Sequence, residues 1–192
     1  MGAGQRTLFI VLAVIFLIVV IPFLYVKSTY NTLVKLDEAV QAAWAEVENQ
    51  LQRRYDLIPN YVETVKAYAK HEKDVFVKVT EARSKVGAAK TIKEKIQANN
   101  ELSAALARLL VIVERYPELK ANRNFIRLQD ELAGTENRIA VARRRFNEAV
   151  RIYNTKLRSF PTNIIASMFG FEKAQFFEAP KEHQKAPELK FN

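Results

Sequence analysis

The stretch Trp44-Ala-Glu-Val-Glu-Asn-Gln-Leu-Gln-Arg-Arg-Tyr-Asp-Leu-Ile-Pro-Asn-Tyr-Val-Glu-Thr-Val-Lys-Ala-Tyr-Ala-Lys-His-Glu72 decides how this chain folds. Up to Pro59, apolar residues recur at Val40, Trp44, Val47, Leu51, Tyr55 and Ile58, in steps of three and four. Beyond it, Val62, Val65, Ala69, Phe76 and Val79 keep the same stepping, with Glu72 in one apolar place. Each series is the buried stripe of an amphipathic helix. Pro59 has no backbone N–H and its ring crowds the preceding turn, so it is expected to end or kink the first helix. Asn60 followed by Glu63 reads as a capping box opening the second. The expected product is an antiparallel helical hairpin whose apolar seam the rest of the chain must cover.

Four runs carry a family resemblance. They are YNTLVKLDEAV from Tyr30, AWAEVENQLQRRYDLIPN with VETVKAYAKHE, the long run LARLLVIVERYPELKANRNFIRLQDELAGTENRIAVARRRFNEAV, and YNTKLRSFPTNIIASMFGF from Tyr153. Together they resemble the LemA family of bacterial membrane proteins from about Tyr30 to Phe177. The resemblance implies an N-terminal membrane anchor and a helical-bundle domain, and it brings no enzymatic activity with it.

The totals agree with a helical chain. At 192 residues it is long enough for one domain with a core. Only five Gly and six Pro interrupt a composition rich in Ala, Glu, Lys, Arg and Leu. There is no Cys, which excludes disulfides and thiolate metal sites. The net charge is +9, and setting aside residues 1–26, whose one charged side chain is Arg6, leaves 29 basic against 21 acidic residues, or +8. A cationic domain attracts anionic surfaces.

From Thr7 to Val26 the chain carries no charge, and sixteen of those residues are Leu, Ile, Val or Phe. Twenty helical residues rise roughly 30 Å, the thickness of a bilayer's hydrocarbon core. Each such side chain favours insertion by about 0.3–0.6 kcal/mol. A cleaved signal peptide has a shorter apolar region and small residues at its end; here Phe23-Leu24-Tyr25-Val26-Lys27 follows. Residues 7–26 are therefore expected to be a retained single-pass anchor, with Leu8, Phe9, Phe16, Pro22, Phe23 and Tyr25 in the membrane and 1–6 as a flank. Arg6 lies on one side and Lys27 and Lys35 on the other, so charge bias assigns the domain to neither side of the bacterial cell membrane.

Pro59, Gly87, Pro117 and Pro161 cut residues 27–160 into four helical segments. Gly87 is available to cap the second, and Thr91 with Glu94 reads as a capping box for the third, striped by Ile92, Ile96, Leu102, Leu106, Leu109 and Val113. The fourth carries Phe125, Leu128, Leu132, Ile139, Ala142, Phe146, Val150, Tyr153, Leu157 and Phe160, at coiled-coil-like spacing. Gly134 lies within it, where a close helix crossing would account for a missing side chain. The fold class expected is all-α: a transmembrane helix followed by an antiparallel up-and-down four-helix bundle over 27–160. Helix parity returns the apolar segment 161–179 to the membrane end, with Gly170 ending a short helix, and 180–192 reads as a polar tail.

Catalytic constellations are missing. Di-iron bundles need Glu-x-x-His, yet Tyr68 and Pro180 stand three positions before His71 and His183. No nucleophile elbow or phosphate-cradling loop occurs. No metal, cofactor or nucleic-acid partner is expected; Arg53-Arg54 and Arg143-Arg144-Arg145 read first as solvated faces paired with acids. Trp44 reads as core, or else as a subunit contact. Candidate interaction residues are Trp44, Arg53, Arg54, Phe169, Phe171, Phe176 and Phe177. The function expected is a non-enzymatic, self-assembling scaffold at the bilayer. The alternative is an adaptor for a signalling or proteolytic membrane partner.

Overall fold

The computed structural model describes residues 3–178. Met1 and Gly2 of the N-terminal flank, residue 179 and the expected tail 180–192 lie outside the described residues. Every regular element described is helical: α1 (Ala3–Ile15), a π-helical turn (Phe16–Val20), α2 (Ile21–Tyr68), α3 (Lys73–Ala88), α4 (Ile92–Val113), α5 (Pro117–Lys120), α6 (Arg123–Arg158) and α7 (Thr162–Met168). The chain divides into two compact units, one of residues 1–43 with 148–174 and one of residues 44–147 with 175–192.

In the first unit, α1 passes into α2 without leaving helical geometry. The π-helical turn has a local cause. Pro22 cannot donate to the carbonyl four residues back, and just before it the Ile21 N–H reaches the Phe16 carbonyl, five residues back. One wide turn absorbs the proline. At the other end of this unit, α7 closes with Gly170 at φ 72°. The N–H of Phe171 bonds the Ala166 carbonyl at 3.0 Å and that of Gly170 bonds Ser167 at 3.4 Å. That pair of bonds needs a left-handed residue, and the sequence supplies glycine there.

In the second unit, Pro59 does not end the first helix; α2 runs through it to Tyr68. The expected reversal at Pro59 and the Asn60–Glu63 capping box are both absent, and the Asn60 carbonyl instead accepts from Thr64 Oγ1 at 2.8 Å, as inside a helix. The reason lies at Tyr55, whose carbonyl loses its donor to the proline. Arg83 of α3 supplies a replacement from Nε at 3.4 Å. Its guanidinium also lies 4.0 Å from the centre of the Tyr55 ring. A packed neighbour thus offsets what proline removes.

The reversal falls at residues 69–72, where the Glu72 N–H bonds the Ala69 carbonyl. Helices α3 and α4 then form a hairpin, with Lys85 bridging Glu101 at 2.7 Å and Glu72 bridging Arg115 at 3.3 Å. Residue numbers rise on one helix as they fall on the other, so the two are antiparallel. The capping box of α4 is present as expected. Thr91 Oγ1 accepts from the Glu94 N–H, and the Glu94 carboxylate accepts from the N–H groups of Lys90 and Thr91. Those two backbone donors hold the Glu94 carboxyl below its usual range. Asn122 caps α6, accepting from the N–H of Asn124 and Phe125 while donating to Tyr68 Oη at 2.9 Å.

Two expected glycine roles change. Gly87 is not a left-handed cap, because α3 continues through Ala88. It is small for another reason: a Cβ there would stand 3.3 Å from Tyr55 Oη. Gly134 meets no neighbouring backbone, and a Cβ would find only Arg138 Nη1 at 3.5 Å. Phe160, expected on the α6 stripe, lies beyond the end of that helix and is 82% exposed.

The second unit holds a continuous apolar core. Ile58, Tyr61 and Val65 of α2 meet Phe76 and Val79 of α3, Leu102, Leu106 and Leu109 of α4, and Phe125 and Leu132 of α6. Each large side chain buried this way contributes about 1.5–3 kcal/mol.

Candidate functional site

Three groupings of side chains place the residues singled out from sequence. The first is built on Arg54. Its side chain is 2% exposed, so it is not part of a solvated face. Its Nη1 donates to Ser103 Oγ at 2.8 Å and to Glu136 Oε2 at 2.9 Å. Its Nη2 donates to Asn99 Oδ1 at 2.7 Å and to the Asn99 carbonyl at 3.3 Å. One guanidinium of α2 thereby makes three hydrogen bonds to α4 and one to α6, while its Nε is buried without a partner. The neighbouring Arg53 behaves as expected, exposed and paired with Glu131 at 2.7 Å.

Arg54, Ser103 and Glu136 are among the polar residues lining an open cleft of about 450 Å³. Leu106, Ala107, Leu110, Leu132 and Ala133 line it too, with Gln129 and Asn137. The Ser103 hydroxyl accepts from Arg54 and donates to the Asn99 carbonyl at 3.0 Å. Both of its hydrogen-bonding roles are filled by groups that are not bases. The Glu136 carboxylate pairs with Arg54 while half of its side chain stays exposed. The cleft combines a largely apolar lining with one ion pair.

A second grouping surrounds Trp44, which is 7% exposed. Its ring lies 5.3 Å from Phe146 and 6.4 Å from Phe177. The Phe177 ring, buried as well, sits under the Arg143 guanidinium at 4.2 Å. Burial lowers the pKa of Arg143 from its ordinary value, though a guanidinium stays charged there. The backbone of Phe177 is held at both ends by one side chain: its N–H donates to Asn147 Oδ1 at 2.8 Å and its carbonyl accepts from Asn147 Nδ2 at 3.0 Å. Phe176 points outward.

The third grouping belongs to the first unit. The Phe169 and Phe171 rings lie 4.8 and 5.7 Å from that of Tyr30. Asn154 clamps Ala174 as Asn147 clamps Phe177, donating at 2.9 Å and accepting at 3.0 Å. Tyr153 Oη donates to the Glu172 carbonyl at 2.9 Å. In the same unit Leu8, Phe9, Phe16 and Phe23, expected from sequence in a membrane anchor, are 54–69% exposed, Tyr25 is 41% exposed, and Pro22 is exposed with them.

Arg54 and its partners were findable. Arg54 stands three residues after Leu51 and four before Ile58, on the buried stripe itself. Thr135 has the same relation to Leu132 and Ile139, and Asn99 stands three residues from both Ile96 and Leu102. Polar residues at seam positions were the signal.

A family model described as the LemA family matches residues 43–191. The chain belongs to the LemA family. Among similar proteins of this LemA-family chain, Magnetosome protein MamQ 2 of Paramagnetospirillum magneticum is 26% identical over 93% of this chain and 74% of its own length. Magnetosome protein MamQ of Magnetospirillum gryphiswaldense is 26% identical over 92% of this chain and 74% of its own. Protein LemA of Metamycoplasma hominis is 24% identical, over 92% and 80% respectively. The family match takes in the Arg54 network, the Trp44 grouping and the Phe169–Phe177 segment, and it begins within α2, beyond the uncharged residues 7–26.

Proposed function

We propose that this LemA-family protein is a non-enzymatic helical scaffold, anchored once in the bacterial cell membrane by residues 7–26 and assembling with copies of itself there. The observation that carries the reading is the uncharged N-terminal helix, whose large side chains at Leu8, Phe9, Ile10, Phe16 and Ile18 have no protein to pack on. Hydrophobic side chains in such a row are stable in lipid and costly in water. A shared plane also raises the effective concentration of copies relative to one another.

Within the second unit we read α2, α3, α4 and α6 as an up-and-down four-helix bundle. The pairs Arg53–Glu131 and Tyr61–Phe125 run in opposite senses along α2 and α6, while Arg54–Asn99 and Lys95–Glu48 run in the same sense along α2 and α4. Alternating directions of this kind support the bundle reading.

The test uses the full chain in its native membrane. Resistance to alkaline carbonate extraction, followed by mass measurement in mild detergent over a wide concentration range, is expected to give a retained protein of several subunits. Release by carbonate removes the anchor reading. A monomer at every concentration removes the scaffold and favours an adaptor awaiting a partner.

A further inference from the structure

Helix α7 and the turn before it leave three large apolar side chains in the open: Phe160 is 82% exposed, Ile164 52% and Met168 71%. Ile164 and Met168 stand four residues apart on α7 and so share one side, and Phe160 is exposed in the turn just before the helix. The opposite side of α7 is buried through Thr162, Ile165 and Ala166. This is therefore a docked helix with one apolar face left over.

Its position within the first unit is fixed at both ends. Thr162 and Lys156 lie near the Tyr25 hydroxyl. Phe169 stacks 4.8 Å from Tyr30. Tyr25 and Tyr30 are about 7.5 Å apart along a helix, so α7 is held beside the turn and a half where the uncharged segment ends. Tyr and Lys at that level mark the boundary between hydrocarbon and water. The charge nearest that level is basic: residues 21–34 and 155–171 contain Lys27, Lys156 and Arg158 and no Asp or Glu. The acids of this unit lie farther along, with Asp37 and Glu172 beside Tyr153 and Glu148 paired with Arg151 at 2.6 Å.

We propose that the face formed by Phe160, Ile164 and Met168 is a second membrane contact, lying on an anionic lipid surface beside the spanning helix. An apolar face flanked by basic residues is the pattern of an interfacial helix. A second copy of the chain is the weaker occupant. Three side chains offer far less than the ~800 Å² per partner of an ordinary interface, whereas a lipid surface sets no such minimum. The inference rests on the anchor reading above and adds a contact that the anchor alone does not require.

Because the chain has no cysteine, single cysteines can report depth. Ile164→Cys and Met168→Cys, each carrying a small fluorophore, are reconstituted as full chains in phosphatidylcholine–phosphatidylglycerol vesicles containing nitroxide lipids. Phe16→Cys marks the anchor, and Ala42→Cys marks a point about 24 Å beyond Val26. Labels at 164 and 168 are expected to be quenched by shallow nitroxides, the label at 16 by deep ones, and the label at 42 by neither. Quenching at 164 is expected to fall when phosphatidylglycerol is omitted. If 164 and 168 behave like 42 while 16 is quenched, this contact is wrong and the anchor stands. An unquenched label at 16 overturns both. Shielding of 164 from water without lipid quenching gives the face to a second copy and overturns the proposal.

Discussion

The second unit and the N-terminal segment of the first use the same apolar side chains in opposite ways. In the second unit, Val47, Val65, Leu102, Leu109, Leu119 and Phe125 are completely buried by protein. In the first, Leu33 and Val150 are buried as fully, but Phe9, Ile18 and Phe23 of the N-terminal segment are each 65–69% exposed. The hydrophobic cost per area in water is the same for both, about 25 cal/mol per Å². The second unit therefore contains its own apolar solvent, and the N-terminal segment needs one supplied. That contrast yields the largest predicted effect. The sixteen apolar residues of the anchor favour insertion by roughly 5–10 kcal/mol in total, and an Arg at mid-span costs about 2.5–3.5 kcal/mol. Ile15→Arg with Ile18→Arg is expected to remove about 7 kcal/mol and release the protein on alkaline extraction. The melting transition of the second unit should be unchanged. Coupled loss of both would show that the units do not differ as described.

The second unit can be challenged from inside. Arg54→Ala deletes a buried stem and leaves two Asn99 acceptors without their donor. Breaking a buried ionic network from one side costs about 3–5 kcal/mol, whereas an apolar residue of similar volume is far better tolerated. Arg54→Ala is expected to lower the stability of this unit by about that amount, and Arg54→Met by much less, measured by denaturant unfolding. Equal losses would mean that packing of the stem, not the network, matters.

These contrasts also show what was legible in the sequence. The long apolar N-terminal helix was, because an uncharged run of that length and composition favours helix throughout. The α4 capping box, the Gly170 stop and the α6 stripe were, because each is local chemistry. The reversal was placed at Pro59 rather than at residues 69–72 because the compensation is not local: Arg83, twenty-eight residues after Tyr55, supplies the missing donor. Arg54 was placed on a solvated face because its neighbour Arg53 and the overall positive charge suggested one. Its step from Leu51 to Ile58 said otherwise. Phe177 could not be placed at all, since an extended segment has no periodicity to say which ring turns inward.

Tyr61 gives an effect that appears only in alkali. Its hydroxyl is buried without a partner, and its ring lies 5.3 Å from Phe125. Burial pushes its pKa up to about 12 from 10.0. The unfolded chain thus releases this proton first, so stability falls as pH rises through 10 toward 12. A shift of that size is worth roughly 2–3 kcal/mol at the end of the window. Tyr61→Phe removes both the dependence and the orphan hydroxyl, and is expected to be more stable by about 1 kcal/mol near neutrality. Equilibrium unfolding from pH 9 to 12 distinguishes the two chains. Parallel curves would mean that the hydroxyl finds water.

The smallest effects come from the asparagine clamps, one in each unit. Asn147 and Asn154 each hold both backbone groups of a single residue, so Ala at either position deletes two hydrogen bonds, worth about 0.5–1.5 kcal/mol apiece. What differs is the side chain so held. Phe177 is 4% exposed against Trp44 and Arg143, and freeing its backbone lets a buried ring leave. Ala174 has only a methyl group to lose. Asn147→Ala is therefore expected to cost about 2 kcal/mol and to redden Trp44 fluorescence, as water reaches the sole indole of the chain. Asn154→Ala is expected to cost about 1 kcal/mol and to appear mainly as faster hydrogen exchange at the Ala174 amide. If Asn154→Ala shifts the Trp44 emission as far as Asn147→Ala does, the two clamps act as one, and the division between the units is weaker than their packing suggests.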